Sequence, residues 1–344
     1  MRKKIIFCGT PEFSIASLNS LFQHQAAFHY NLVGVITIPD QIAGRGQKKQ
    51  QSPVKREANH LNIPVYEPQN LNDDLFLYSI KALKPDLIFV VAFKKLPEIL
   101  FNIPTIGTIN IHASLLPKYR GAAPINWALI NGEKQTGLTT FFINNIIDTG
   151  DIITQIKIKI EPEWNAGDLY TVLMDHSNQI IKDTLDIVLQ NNHTLIKQNE
   201  HDNDKSKYAP KLKKQDFSLP LSLLKSKSIT ETYNFIRGMS PPGVKISISI
   251  HHLDINKKTS MIKKHIIITR VNNFKNKEHQ VIESDVHIDV THKNEIKITN
   301  GTSSFNIMKL KLENGKEISA KEFYNGFIKT KHNINKISII DRIN

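Results

Sequence analysis

Two residues that could do chemistry stand at the start of the stretch NIHASLLPKYRGAAPI, residues 110–125: Asn110 and His112. Spaced two apart on an extended strand, their side chains point to the same side. One is an amide donor, and the other is an acid or base that titrates near neutrality. A second polar cluster, DTGD at residues 148–151, offers Asp148, a carboxylate that could hold or ionise His112. Transfer of a carbonyl group to an amine needs such a set. A donor must stabilise negative charge on oxygen in the tetrahedral intermediate. The attacking amine must lose a proton, and the leaving nitrogen must gain one. The single cysteine, Cys8, falls inside an apolar run and reads as core, so direct transfer is favoured over a covalent enzyme intermediate. A plainer reading stands beside this one: His112 as a satisfied structural residue and Asp148 as a turn residue between Ile147 and Thr149. Residue types and spacing leave both open.

The elements that must position these residues alternate between strand and helix patterns. Residues 4–8 read as a first strand, followed by a turn at Gly9–Pro11 and a helix to about His24, with Thr10 as its cap and Pro11 in its first turn. Residues 30–38 read as a second strand. Ser52 and Pro53 open a helix that runs to about Leu61. Residues 86–92 form a continuous apolar run, the mark of a central parallel strand covered on both faces. Residues 106–111 form another, which places Asn110 and His112 at a strand's carboxyl end, where open α/β sheets carry their sites. Residues 136–143 and 151–160 read as an antiparallel pair joined across Asp148. Leu169, Leu173, Ile180 and Ile187 share a stripe in one long helix over 166–189. The pattern is that of an α/β sandwich.

The character changes after Gln190. Residues 191–215 are polar and lysine-rich and read as a linker. A helix near 228–237 precedes short strand-like runs at 244–250, 265–271, 286–290, 295–299 and 305–312, the pattern of a small, mostly β barrel. The expected organisation is a catalytic domain over 1–190, a basic linker over 191–215, a barrel over 216–330 and a tail over 331–344.

A chain of 344 residues with 40% hydrophobic residues can bury two cores. One cysteine excludes an intrachain disulfide framework and any site built from several cysteines, and no metal site is expected. No segment is long and apolar enough for a bilayer. The opening run, broken by Gly9 and Pro11, does not resemble a secretion signal, so a cytoplasmic protein is expected. Lys plus Arg exceed Asp plus Glu by 45 − 32 = 13, which favours an anionic partner, nucleic acid first among them. The base composition of the coding DNA is an alternative source of the same lysines. GTPEF after the first strand lacks the G-x-G-x-x-G dinucleotide fingerprint, which disfavours a nicotinamide enzyme.

With these motifs in view, the chain resembles the methionyl-tRNA formyltransferase family. FCGTPEF (7–13) is similar to its opening motif, HASLLPKYRGAAPINWA (112–128) to the signature of folate-dependent formyltransferases, and IDTGD (147–151) to its carboxylate motif. AGRGQKKQQSPVK (43–55), YAPKLKKQD (208–216) and KLKLENGKEISAKEFYNG (309–326) also resemble the family, so the likeness runs from Ile5 to about Gly326. The resemblance implies a Rossmann-like formyltransferase domain followed by an OB-like barrel that binds tRNA. It implies 10-formyltetrahydrofolate as formyl donor, initiator methionyl-tRNA as acceptor, and a monomer. The catalytic Asn, His and Asp fall on Asn110, His112 and Asp148. The pterin is expected against the strand end at Phe89 and Val91 and the loop of Ser114, Leu115, Leu116 and Pro117, largely through backbone groups. Arg45 matches the family arginine that meets the acceptor arm, with Lys48 and Lys49 adding backbone attraction. In the linker, Lys207 and Lys211 would track phosphates.

Two departures from the family pattern stand out. Residues 92–97 are AFKKLP, where relatives have AYG and an apolar pair, so Lys94 replaces a glycine near the expected folate pocket. Residues 237–246, RGMSPPGVKI, lack the tryptophan expected there. The shared chemistry also fits a formyltransferase acting on a nucleotide-linked sugar or glycinamide ribonucleotide, a formyltetrahydrofolate hydrolase, or an RNA-binding relative that has lost catalysis. The loop at 43–55 favours tRNA, and the presence of all three polar residues argues against loss of catalysis.

Overall fold

The computed structural model describes residues 1–43, 48–190, 194–198, 208–253, 259–275, 286–290, 295–300, 303–329 and 334–340. The chain forms two compact units. One comprises Met1–Pro124, Gln135–Lys159 and Tyr170–Pro210; the other comprises Ile125–Lys134, Ile160–Leu169 and Lys211–Asn344.

In chain order the elements are β1 (Lys3–Gly9), α1 (Phe13–His24), β2 (Tyr30–Ile36), β3 (Gln41–Ala43), β4 (Lys48–Gln50), α2 (Pro53–His60), β5 (Val65–Tyr66), α3 (Asp74–Leu83), β6 (Leu87–Val91), α4 (Glu98–Phe101), β7 (Gly107–His112), β8 (Arg120–Gly121), α5 (Pro124–Ile130), β9 (Gln135–Phe142), β10 (Ile152–Lys159), α6 (Ala166–Asp175), α7 (Ser177–Leu189) and β11 (Tyr208–Ala209). Seven strands form one sheet in the order β10-β9-β7-β6-β1-β2-β5. The five strands from β7 to β5 pair in parallel, and β9 and β10 run antiparallel to their neighbours. All five residues of β6 are buried, as its unbroken apolar run predicts for a central strand. The Ser52 side chain accepts the Lys55 N–H at 3.0 Å and caps α2, with Pro53 in its first turn as expected.

Asp86 staples the amino-terminal edge of this sheet. Its carboxylate accepts the Lys4 N–H at 2.9 Å, the Lys3 ammonium at 3.0 Å and the Thr105 hydroxyl at 3.0 Å. Burial alone would raise its pKa, but these donors outweigh it and hold the group below the usual carboxylate value.

Several local expectations are corrected. Helix α1 begins at Phe13 with Glu12 as its N-cap residue and no side-chain cap, so Thr10 does not serve. The single helix expected over 166–189 is two helices. His176, at φ −83° and ψ −3°, separates them as the N-cap residue of the second, and its Nδ1 lies 2.8 Å from the Val172 carbonyl. Within the expected linker, Tyr208–Ala209 form a strand that pairs in parallel with Arg120–Gly121.

The second unit contains α8 (Leu221–Ser226), α9 (Ile229–Gly238), β12 (Val244–Leu253), β13 (Thr259–Lys275), β14 (His287–Val290), β15 (Ile296–Asn300), β16 (Ser303–Leu312), β17 (Glu317–Ser319), α10 (Ala320–Phe323) and β18 (Ile334–Ile340). The strand order is β13-β12-β18-β14-β15-β16-β17, and β13 also pairs with β16, which closes the sheet into a barrel. Val244, Ile246, Ile248 and Ile250 alternate along β12 and enter its core with Ile268, Ile298, Phe305 and Leu310. The stretch read as a tail supplies β18, which pairs with β12 and β14. Its four isoleucines are interrupted by Asn335, Lys336 and Ser338, which hides the strand in the sequence, and Ile337 and Ile339 are buried. A capping box of Ser228 and Glu231 starts α9. At the start of the stretch that lacks the expected tryptophan, buried Arg237 donates to the Pro162 carbonyl and lies against the Tyr233 ring at 5.2 Å.

Replacing Asp86 by Ala should lower stability by about 1–3 kcal/mol at neutral pH. Because its folded pKa is depressed, this contribution is present above the unfolded pKa and is lost as pH falls through the folded value. The gap between urea melts of the two proteins should therefore be full at pH 7 and narrow as pH falls below 3.8; a gap that does not change with pH would refute the staple.

Candidate active site

Strand β7 ends in Asn110 and His112, with Val90 of β6 opposite Asn110 on one side and Phe141 of β9 on the other. Asn110 is half-buried and His112 is buried. The His112 Nε2 lies 2.8 Å from the Tyr119 carbonyl oxygen. A carbonyl only accepts, so Nε2 carries the hydrogen and Nδ1 is the nitrogen left to exchange a proton. That nitrogen lies 3.8 Å from Asp148 Oδ2, an ion pair whenever the imidazole is protonated.

Asp148 sits in the turn joining β9 to β10 at φ 56°, a conformation that Asp tolerates better than most residues. Asp148 therefore makes the turn and also lies 3.8 Å from His112. Its Oδ2 accepts the Gly121 N–H at 2.9 Å. Gly121 has φ +123°, and a Cβ there would meet the Ala209 carbonyl oxygen at 2.5 Å, so β11 packs directly on the segment that holds the carboxylate. Gly150, two residues beyond Asp148, is required for a similar reason, since a Cβ would fall 1.6 Å from the Phe142 carbonyl oxygen. The turn is braced from within by Asn144, whose Oδ1 accepts from the Ile146 N–H and the Thr149 hydroxyl, both at 3.0 Å.

Residues that sequence reasoning missed complete the frame. Arg120 donates from Nε to the Asp148 carbonyl at 3.0 Å and from Nη2 to Gln198 Oε1 at 2.7 Å. Gln198 donates in turn to the Gly150 carbonyl at 2.7 Å. Thr139 of β9 donates to the Ser114 carbonyl at 2.6 Å and accepts the Leu116 N–H at 3.1 Å, while Gln155 of β10 donates to the Leu116 carbonyl at 2.9 Å. The only signal that could have found Thr139 and Gln155 is polar side chains on strands that read as sheet. Gln198 carries no signal at all.

The expected folate residues divide in two. Phe89 and Val91 are fully buried in β6, so their side chains present nothing to a ligand. The Val91 carbonyl already accepts the Ser14 hydroxyl at 2.7 Å. Ser114 and Leu116 are also buried, and the Ser114 hydroxyl donates to the Lys118 carbonyl at 2.6 Å. Leu115 and Pro117 are half-buried at the loop's surface. Of the expected tRNA residues, Arg45 and Lys207 lie outside the described residues. Lys48 and Lys49 lie on β4, which pairs with β3, and Lys49 and Lys211 are exposed.

Cys8 is buried in β1, and burial pushes its thiol pKa up, which keeps it protonated and unsuited to attack. The constellation thus supplies an amide, an imidazole with a defined free nitrogen and a fixed carboxylate. Among the described residues, no group of three or more His, Cys, Asp and Glu is arranged to hold a metal ion. No described helix is long and apolar enough to cross a membrane.

A family model described as formyl transferase matches residues 2–185. The methionyl-tRNA formyltransferase of Parabacteroides distasonis is 35% identical over 94% of this chain and 95% of its own length. That of Clostridium perfringens is 37% identical over 94% and 96%, and that of Flavobacterium johnsoniae is 46% identical over 69% and 72%. Among solved structures, WlaRD, a sugar 3N-formyl transferase determined with dTDP and 5-N-formyl-THF, aligns with a TM-score of 0.60 at 19% identity over 92% of this chain and 100% of that one. The N-formyltransferase from Helicobacter canadensis, in complex with folinic acid and dTDP-3-aminofucose, aligns with a TM-score of 0.61 at 20% identity over 89% and 99%. These structures share the fold; the relatives matched along nearly the whole chain specify more, and this chain belongs to the methionyl-tRNA formyltransferase family.

Proposed function

We propose that the protein transfers the formyl group of 10-formyltetrahydrofolate to the amino group of methionine on initiator tRNA, giving N-formylmethionyl-tRNA for translation initiation. The observation that carries this reading is the pairing of His112 and Asp148 at the carboxyl end of β7, in a chain whose full-length relatives bear the name of that enzyme. The working division of the chain is a catalytic domain over 1–190, a basic linker over 191–215 and a tRNA-binding barrel beyond it, in a cytoplasmic monomer that requires no metal.

The neutral amine attacks the formyl carbon, forming a C–N bond while the carbonyl electron pair moves to oxygen. Asn110 donates its amide hydrogen to that oxyanion, and His112, protonated at Nδ1 opposite the Asp148 carboxylate, supplies the second donor. Collapse restores the carbonyl and breaks the bond to N10 of the folate. The amine loses one proton and N10 gains one, so the transfer needs no external oxidant or base. With His112 already protonated, the Asp148 carboxylate is the member of the pair that takes the proton from the amine and returns it for N10. The pterin of the donor lies at the strand end following Phe89 and Val91 and along the Ser114–Pro117 loop, held chiefly by backbone groups.

The tRNA is recognised first by charge. An excess of 13 basic residues favours a polyanion. Arg45 meets the acceptor arm, with Lys48, Lys49, Lys207 and Lys211 as phosphate contacts, so affinity falls as salt rises.

Three measurements test this reading. Incubation with 10-formyltetrahydrofolate and charged initiator tRNA should give formyl-methionyl-tRNA; preferential formylation of free methionine or a sugar amine would overturn the assigned acceptor. Asn110→Ala, His112→Ala and Asp148→Asn should each lower kcat by about 10²–10⁴, while Arg45→Ala should raise KM for tRNA by roughly tenfold with kcat little changed. Gly121→Ala, which forces β11 off the segment holding Asp148, should reduce kcat by about tenfold or more in protein that remains folded by circular dichroism; full activity would show that the close packing of β11 on Gly121 is not needed to hold the carboxylate.

A further inference from the structure

Beside the strand that carries Asn110 and His112, the chain leaves β6 in register with it, Val91 opposite Ile111. Ala92 turns sharply at φ 47°, and the following residues form one wall of a cleft of about 290 Å³. The other wall is the segment after β5 containing Gln69, Asn70 and Asn72. Both walls belong to the first unit. Leu71 and Leu96 are buried at its base. Lys94 and Lys95 are exposed at its rim, and none of its lining residues is acidic.

The contrast with other lysines in this unit is informative. Lys3 is paired with Asp86 at 3.0 Å, and Lys55 lies 2.7 Å from Asp40 and 2.8 Å from Glu67. Among the described residues, neither Lys94 nor Lys95 has an ion-pair partner; Lys94 only lies over the Phe93 ring at 5.9 Å. Two unneutralised cations above an apolar base, facing three carboxamides, complement a flat aromatic ring that continues into a chain of amides and carboxylates. The cations would attract the carboxylates, and the carboxamides can pair with peptide-like links. The end of a folate molecule remote from its pterin has this chemistry, and the cleft begins at the strand end assigned to the pterin.

Resting on the assignment of a folate donor, we infer that this cleft binds the γ-glutamyl tail, and that Lys94 and Lys95 make the protein select polyglutamylated donor over the monoglutamyl form. The occupant is the small-molecule donor and not tRNA phosphate, because the lysines rim a concave site whose other polar groups are carboxamides.

Steady-state kinetics at saturating methionyl-tRNA, with mono- and pentaglutamyl 10-formyltetrahydrofolate, test the inference. The pentaglutamyl donor should show a KM lower by about tenfold. In the Lys94→Ala/Lys95→Ala double variant that ratio should fall towards one, with the change carried by KM for the donor, and Lys94→Arg/Lys95→Arg should restore it. Equal KM values in the unaltered protein, a ratio that survives the double alanine change, or an effect that falls on KM for tRNA would each overturn it. Calorimetric titration with unformylated tetrahydropteroyl mono- and pentaglutamate reads the same preference without turnover. Failure of formyl transfer with both donors would therefore count against the assigned reaction, and equal affinity in the calorimeter against the cleft.

Discussion

The bond between His112 Nε2 and the Tyr119 carbonyl, 2.8 Å long, sets the chemistry of the imidazole, because it consumes one nitrogen as a donor and leaves Nδ1 to face Asp148. Two residues further on, Gly121 holds the Asp148 carboxylate through its N–H. Residues 119–121 thus define both partners of the pair. This short segment adopts an unusual backbone, with Tyr119 at φ 62° and Gly121 at φ 123°, and the pairing of Arg120–Gly121 with Tyr208–Ala209 pins it. A strained connection of this kind persists only where its surroundings over-determine it.

Those surroundings are the sheet itself. Strand β7 delivers Asn110 and His112, while β9 and β10 deliver the turn bearing Asp148 from the other direction. Thr139 and Gln155 then tie the Ser114–Leu116 backbone to the same two strands. His112, the carboxylate facing it and the loop that follows the strand are therefore held by one contiguous set of hydrogen bonds. Arg120 spends its guanidinium on this frame through the Asp148 carbonyl and Gln198. Preorganisation of this sort matters most for acyl transfer without a covalent intermediate, where donors must already be aimed at the oxygen on which charge develops.

The lysines of the first unit divide by their surroundings. Lys3 and half-buried Lys55 pair with carboxylates, whereas Lys94 and Lys95 stand over a cleft lined by no acidic residue. The departure from the family pattern at AFKKLP, which in sequence terms is only a lost glycine, places two cations at a cleft beside the strand that carries Asn110 and His112.

Much of this protein was determined locally. An unbroken apolar run becomes the buried parallel strand β6, alternation becomes the barrel strands, and Ser52 caps the helix that it is expected to open. Asn110 and His112 were legible because a period-two spacing at a strand end is itself a local property. The tertiary structure decided what depends on groups without a residue-type signature. The Tyr119 carbonyl and the Gly121 N–H are backbone atoms that any sequence possesses, and Gln198 reaches Arg120 across 78 positions. The assignment of Ile125–Lys134 and Ile160–Leu169 to the second unit, and of Ile334–Ile340 to its barrel, follows from contacts distant in the chain. Periodicity and capping report how a segment folds on itself; which backbone group it finally meets is set only when separate segments compete for the same hydrogen bonds and the same buried space.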